Sequence, residues 1–143
     1  MAIINGTNGN DTITFALISA GVSGFPTQQA DTIRGFGGND TISSAGGPDI
    51  VFGGAGADNI SGNGGNDTLN GDAGNDIIDG GADNDIINGG DGNDIIFGGF
   101  GNDILRGNAG VDQLNGGGGN DNILSDGDGG IYNGDAGNDL MFS

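Results

Sequence analysis

The sequence contains no cysteine, histidine, tryptophan, lysine or glutamate, and only two prolines and two basic residues, Arg34 and Arg106. Each absence removes a class of function. Without cysteine there is no disulfide framework, and without cysteine or histidine there is no zinc site of the usual kind. Nucleophilic chemistry of the Ser–His, Cys–His or lysine type lacks its base or its nucleophile. A phosphate-cradling loop completed by lysine is missing, and a formal net charge of −18 makes the chain a poor ligand for nucleic acid or an anionic membrane. No apolar run reaches the roughly 18 residues that a membrane-spanning helix requires. The opening Met1-Ala2-Ile3-Ile4-Asn5-Gly6 is too short and too uncharged for a secretory signal peptide. Two prolines and no Gly-X-Y period exclude collagen.

What fills the chain instead is 36 Gly, 20 Asp and 19 Asn among 143 residues. Such a composition ordinarily means disorder, because too little surface can be buried to offset chain entropy. Periodicity reverses the expectation. Asp31, Asp40, Asp49, Asp58, Asp67, Asp76, Asp85, Asp94, Asp103, Asp112 and Asp121 are each nine residues apart; Gly130 interrupts the series and Asp139 resumes it. Residues 35–142 therefore divide into 12 nonapeptides without an insertion. With the Asp at position six, positions one and four are Gly in ten of the twelve, the exceptions being Ser44, Ser125, Asp83 and Asp128. Position eight is always large and apolar: Ile42, Val51, Ile60, Leu69, Ile78, Ile87, Ile96, Leu105, Leu114, Ile123, Tyr132, Met141.

Each repeat reads as a turn followed by a strand. Positions one to six are rich in Gly, Asn and Asp, which tolerate positive φ and tight bends. Positions seven to nine form a short strand whose central side chain faces inward. Two repeats make one 18-residue coil of an all-β parallel solenoid, with alternate repeats on opposite sheets. Six coils stacked at about 4.8 Å would be about 30 Å long. The predicted division is an irregular N-terminal cap over 1–34, with an outlying copy at Gly6–Thr14 and the register continued by Asp31-Thr32-Ile33-Arg34, followed by the repeat domain over 35–143.

The unit Gly-Gly-x-Gly-x-Asp-x-U-x, with U large and apolar, resembles the RTX calcium-binding nonapeptide; Gly89-Gly90-Asp91-Gly92-Asn93-Asp94-Ile95-Ile96-Phe97 displays it in full. The resemblance runs unbroken over 35–142. It implies a right-handed parallel β-roll, calcium held in the turns, and a secreted bacterial protein exported through a type I system. The ending Asn138-Asp139-Leu140-Met141-Phe142-Ser143 resembles the acidic-then-apolar tail of such substrates, and it also completes an ordinary repeat.

The residues support a cation on their own. Repeats two apart stack, so Asp40 lies over Asp58 and Asp49 over Asp67, and like carboxylates at that spacing repel. If turn carbonyls point alternately up and down, positions one and three serve one ion and two and four the next. With an Asp from each of two loops that makes six oxygens, a set that suits Ca²⁺ better than Mg²⁺. The expected metal ligands are Asp31, Asp40, Asp49, Asp58, Asp67, Asp76, Asp85, Asp94, Asp103, Asp112, Asp121 and Asp139, with backbone oxygens of Gly53, Gly62, Gly71, Gly80, Gly89, Gly98, Gly107 and Gly116. Seven Asp in one column define six intervals and five in the other define four, so eight to ten Ca²⁺ would bring the chain near neutrality. Gly130 leaves Asp112 without a lower partner and should end the second column early. The thin apolar row cannot fold the chain alone, which makes calcium binding a folding term.

Other features read more plainly. The off-register Asp72, Asp79, Asp83, Asp91, Asp126, Asp128 and Asp135 read as turn or surface residues, and Ser125–Gly130 as a degenerate repeat with no Glu to close an EF-hand. Tyr132 reads as a core or cap residue, and no carboxylate pair stands in a context of its own that would mark a catalytic site. The apolar stretch Phe15–Pro26 reads as an end cap, with partner docking as the alternative. Ile77, Ile95, Ile86 and Ile104 at position seven, with Phe52 and Phe97 at position nine, form outward apolar rows that fit either self-association or simple β-propensity. The function expected is a non-enzymatic calcium-binding roll that folds after secretion, to an extracellular or cell-surface location. The alternatives are a rigid adhesin-type or partner-binding module, or the C-terminal part of a larger secreted enzyme or toxin. Ice binding is disfavoured, because no Thr occupies position three of the twelve repeats.

Overall fold

A computed structural model describes residues 2–14, 27–124 and 129–142. Among them are fifteen strands and no helix, and successive strands alternate between two parallel sheets. One sheet holds, in order, β1 (Ile3–Asn5), β3 (Thr32–Gly37), β5 (Ile50–Ala55), β7 (Thr68–Ala73), β9 (Ile86–Asp91), β11 (Ile104–Ala109), β13 (Asn122–Leu124) and β15 (Leu140–Phe142). The other holds β2 (Thr12–Ile13), β4 (Thr41–Ser43), β6 (Asn59–Gly64), β8 (Ile77–Ala82), β10 (Ile95–Phe100), β12 (Asp112–Gly118) and β14 (Gly130–Ala136). This is the β-solenoid that the spacing predicts, with each coil from Thr32 onward advancing 18 residues: Ile33 pairs with Val51, Val51 with Leu69 and Leu69 with Ile87.

The core is the position-eight row. Ile42, Val51, Ile60, Leu69, Ile78, Ile87, Ile96, Leu105, Leu114 and Ile123 are all buried, and Ile4, Ile13 and Ile33 extend the row toward the N-terminus. Tyr132 packs partly buried against it. At the C-terminal end Leu140, Met141 and Phe142 are exposed. On the outer faces of the sheets, Ile77, Ile86 and Phe97 lie in the open, and the Arg34 guanidinium stacks over the Phe52 ring at 5.4 Å.

Two details differ from the expectation. First, most strands run six residues, from position seven through position three of the next repeat, so the turn shrinks to positions four to six. The glycines at positions one to three have low β-propensity, but pairing with the coils on both sides keeps them within the sheet. Second, the N-terminal copy is stacked in the same sheets. Ile4 pairs with Ile33 and Ile13 with Ile42, a spacing of 29 residues where later coils have 18. The excess of 11 falls between Thr14 and Thr27, so the 20-residue gap between Asp11 and Asp31 is one nonapeptide step plus an insertion. The expected cap at Phe15–Pro26, like Ser125, Asp126 and Asp128, lies outside the described residues.

Candidate metal centre

The turns stack as regularly as the strands. Along one column, Asp31, Asp49, Asp67, Asp85, Asp103 and Asp121 each donate a backbone N–H to Oδ1 of the Asp 18 residues later, at 2.7–2.9 Å. Along the other, Asp40, Asp58, Asp76 and Asp94 do the same at 2.7–2.9 Å. Every position-six Asp from Asp31 to Asp121 is buried. The sequence-derived stacking of Asp40 over Asp58 and Asp49 over Asp67 is thus a direct contact.

Oδ1 is accounted for; Oδ2 is not. In Asp40, Asp49, Asp58, Asp67, Asp76, Asp85, Asp94, Asp103 and Asp121 the second carboxylate oxygen is buried with no hydrogen-bond donor. A buried acceptor without a partner is costly, and nine of them in register form a systematic feature. Eight of them lie beside the position-one glycine of their own repeat, whereas Asp49 has Ser44 there, whose hydroxyl acts on its carboxyl. A Cβ placed on Gly53 would lie 2.5 Å from Asp58 Oδ2 and 2.8 Å from the Gly71 carbonyl oxygen of the next coil. On Gly62 it would meet Asp67 Oδ2 at 2.5 Å and the Gly80 oxygen at 2.6 Å, and on Gly80 it would meet Asp85 Oδ2 and the Gly98 oxygen, both at 2.5 Å. The same pairing puts the carbonyls of Gly89, Gly107 and Gly116 beside Asp76, Asp94 and Asp103, and that of Gly53 beside Asp40. Gly62 differs: its oxygen accepts a 2.7 Å hydrogen bond from Oγ of Ser44, one of the two position-one serines.

The glycines at one and four serve different ends. Position four has positive φ throughout the described repeats, from 93° at Gly47 to 155° at Gly137 among the glycines, with Asp83 accommodated at 79°. Position one lacks positive φ, and there the requirement is room beside the carboxylate. Sequence reasoning missed a third special position. Position two is left-handed in every described repeat from residue 35 on, including the non-glycine residues Phe36, Ala45, Asn63, Asp72, Asn108 and Asp135 at 62–79°. These varied residues carry no compositional mark, although Asn and Asp are the ones that enter this region most readily. It also missed position five. Asn66 Oδ1 accepts the Asn84 amide at 3.0 Å, Asn84 that of Asn102 at 2.6 Å, and Asn102 that of Asn120 at 2.7 Å. The recurring Asn-Asp dipeptide was the available signal.

Electrostatics follow from burial. Desolvation pushes the carboxyls of Asp67 and Asp85 up to about 7, and those of Asp49, Asp58, Asp76 and Asp103 to about 6. The backbone hydrogen bond opposes the rise and the stacked like charges add to it. Asp31 behaves otherwise. Burial acts to raise it, but hydrogen bonds from the Ala2 amide and from the hydroxyl and amide of Thr27 hold it below the usual carboxylate range. Its Oδ1 accepts Ala2 N–H and its Oδ2 accepts Thr27 N–H, both at 2.6 Å.

The second column closes on a different residue. Gly130 pairs with Asp112 in register, and a Cβ there would strike the Tyr132 hydroxyl, so the phenol fills the space a position-six side chain would take. That hydroxyl donates to the Gly129 carbonyl at 3.0 Å.

Among the described residues no three acidic, imidazole or thiol side chains gather into a metal cluster. What each turn offers is one orphaned carboxylate oxygen beside backbone carbonyls. Oxygen-only surroundings with surplus acceptors fit a hard divalent cation. Among the same residues no helix is long and apolar enough to cross a membrane. A four-copy model of the RTX calcium-binding nonapeptide repeat matches residues 3–14 and, in overlapping placements, 27–141. No curated protein matches the chain. With nearly all of its length covered by these matches, the chain belongs to the RTX calcium-binding nonapeptide repeat family.

Proposed function

We propose that the protein is a non-enzymatic calcium-dependent β-roll whose turns hold Ca²⁺ and which folds when that ion binds, after secretion. The observation that carries the reading is the row of nine buried Oδ2 atoms without donors. The residues that would hold the ions are Asp40, Asp49, Asp58, Asp67, Asp76, Asp85, Asp94, Asp103 and Asp121, each beside a position-one carbonyl from Gly53, Gly62, Gly71, Gly80, Gly89, Gly98, Gly107 or Gly116 wherever a following coil provides one. Asp112 and Asp139 accept the amides of Asp94 and Asp121. Bound Ca²⁺ would supply positive charge to a column of stacked carboxylates and satisfy oxygens that no N–H reaches. Eight to ten ions would neutralise a formal charge of −18.

Folding follows because neither side of the site exists without the other. The acceptors converge only when coils stack, and stacking without the ion buries like charges against one another. Where calcium is scarce the chain stays unfolded and suited to threading through an export channel; at millimolar calcium it closes into the roll. Far-ultraviolet circular dichroism with calcium titrated into a chelated sample tests this. The expected result is a cooperative rise of β-structure; full β-structure in chelator, unchanged on adding calcium, refutes it.

A further inference from the structure

The repeats are not uniform at their N-terminal edge. In every described repeat from residue 35 on, position two is left-handed, and from Asp40 to Asp103 the Oδ2 of the same turn lacks a donor. At Thr7, position two of the first turn, φ is not positive. A β-branched residue is strongly disfavoured in the left-handed region. There the backbone amide points at the carboxylate instead. Thr7 N–H donates to Asp11 Oδ2 at 2.6 Å and the Thr7 hydroxyl to the same oxygen at 2.9 Å. The turn that opens the other column repeats the arrangement. Thr27 N–H donates to Asp31 Oδ2 at 2.6 Å, and the Gln29 amide closes on Thr27 Oγ1 at 3.1 Å, as the Gly9 amide does on Thr7 Oγ1 at 3.1 Å.

The cradle itself is still present. A Cβ on Gly6 would meet the Gly35 carbonyl at 2.6 Å and Asp11 Oδ2 at 2.8 Å, the same pair of atoms found in the inner turns. Only the occupant differs, with N–H and O–H donors standing where the turns from Asp40 to Asp103 have none. We infer that Thr at position two specifies a cation-free turn, and that Thr7 and Thr27 cap the two ion columns with protein donors in place of Ca²⁺. Asp11 and Asp31 are then structural carboxylates outside the set of metal ligands, and each column takes its first ion at Asp40 or Asp49. This inference rests on the calcium reading above.

The test counts ions. Calcium bound per chain is measured by equilibrium dialysis and metal analysis on the full chain, its Thr7→Gly and Thr7→Gly/Thr27→Gly variants, and a Thr7→Ser/Thr27→Ser control. Glycine restores access to the left-handed turn and removes the hydroxyl. The count should rise by one and by two in the glycine variants and stay at the wild-type value in the serine control. A glycine count equal to wild type, or a serine count raised as much as the glycine one, overturns the inference. Should the glycine variants fail to fold, Gly99→Thr, which places threonine at position two of an inner turn, should lose one ion; an undiminished count there also overturns it. A wild-type chain that binds no calcium refutes the calcium reading, an outcome distinct from all of these.

Discussion

Replacing Gly80 by alanine isolates the cradle from every other property of the turn. Gly80 stands at position one with no positive φ, so alanine brings no backbone strain of its own. The added Cβ would lie 2.5 Å from Asp85 Oδ2 and 2.5 Å from the Gly98 carbonyl oxygen, well inside van der Waals contact, and the carbonyl belongs to a strand held on both sides. Overpacking of this kind costs about 1–3 kcal/mol. For about eight ions bound cooperatively, that loss moves the calcium midpoint by only about 1.2- to 1.9-fold, since each ion contributes RT ln[Ca²⁺]. Thermal unfolding at fixed saturating calcium is therefore the sharper assay, with an expected fall in Tm of about 3–10 °C for a chain of this size. Gly64→Ala is the matched control: it too lacks positive φ, and nothing lies within 4 Å of its Cβ. It should melt at or slightly above wild type, because alanine restricts the unfolded chain. Equal melting temperatures for the two variants would refute the claim that position one is glycine for lack of space beside the carboxylate.

Two further outcomes follow from the same geometry. Asp85→Asn keeps an acceptor for the Asp67 amide but puts an N–H₂ where the donorless oxygen stood, so isothermal titration should show at least one fewer calcium ion per chain; an unchanged count removes Asp85 from the ligands. The pH dependence has a definite sign. Because the metal-free folded chain holds the Asp67 and Asp85 carboxyls near 7 and four others near 6, it binds more protons than the unfolded chain between about pH 4 and 7. Their contribution to metal-free stability is therefore full below the unfolded value of 3.8 and lost as pH rises through 6 to 7. Calcium requires the same carboxylates deprotonated. The unfolded chain, with its carboxyls near 3.8, is already deprotonated between about pH 5.5 and 7.5. The calcium needed for half-folding should therefore stay nearly flat across that window and rise only as pH approaches about 4. A steep rise between about pH 7.5 and 5.5 would contradict this linkage.

The nine-residue register made the architecture legible before any coordinates. Position eight as core, Asp stacked on Asp at 18 residues, and the early end of one column at Gly130 all follow from spacing alone, because a solenoid converts sequence period directly into contact. What was hidden depends on backbone geometry. Positions one to three look like turn by composition but are strand, because ladder bonds to neighbouring coils decide the matter. The left-handed state at position two is held by residues as unlike as Phe36 and Gly54, so no residue type announces it. Asp31 is nine residues from Asp40 like every other member of its series, and only the Thr27 donors set it apart. The role of Ile3-Ile4-Asn5 as the first strand was masked by an insertion that breaks the period after Thr14.

The demand for a cation can be traced to a shortage of donors. In the turn at Gly101-Asn102-Asp103, the Gly101 amide goes to the Gly118 carbonyl of the next coil at 2.8 Å and the Asn102 amide to Asn84 Oδ1 of the previous coil at 2.6 Å. The Asp103 amide goes to Asp121 Oδ1 of the next coil at 2.8 Å, and the Ile104 amide returns to the Asp85 carbonyl at 2.9 Å. All four N–H groups are thereby committed, alternately forward and backward, and this fixes the coil between both neighbours. A carboxylate carries two acceptor oxygens and contributes no donor when ionised. Stacking such turns therefore adds acceptors faster than amides can satisfy them, and the surplus is Asp103 Oδ2. Water brings no charge to a column of stacked carboxylates, and protonation relieves the surplus only at acid pH. A divalent ion shared between layers is the remaining partner of suitable charge. The same ladder that aligns the coils is what leaves one oxygen per turn for metal.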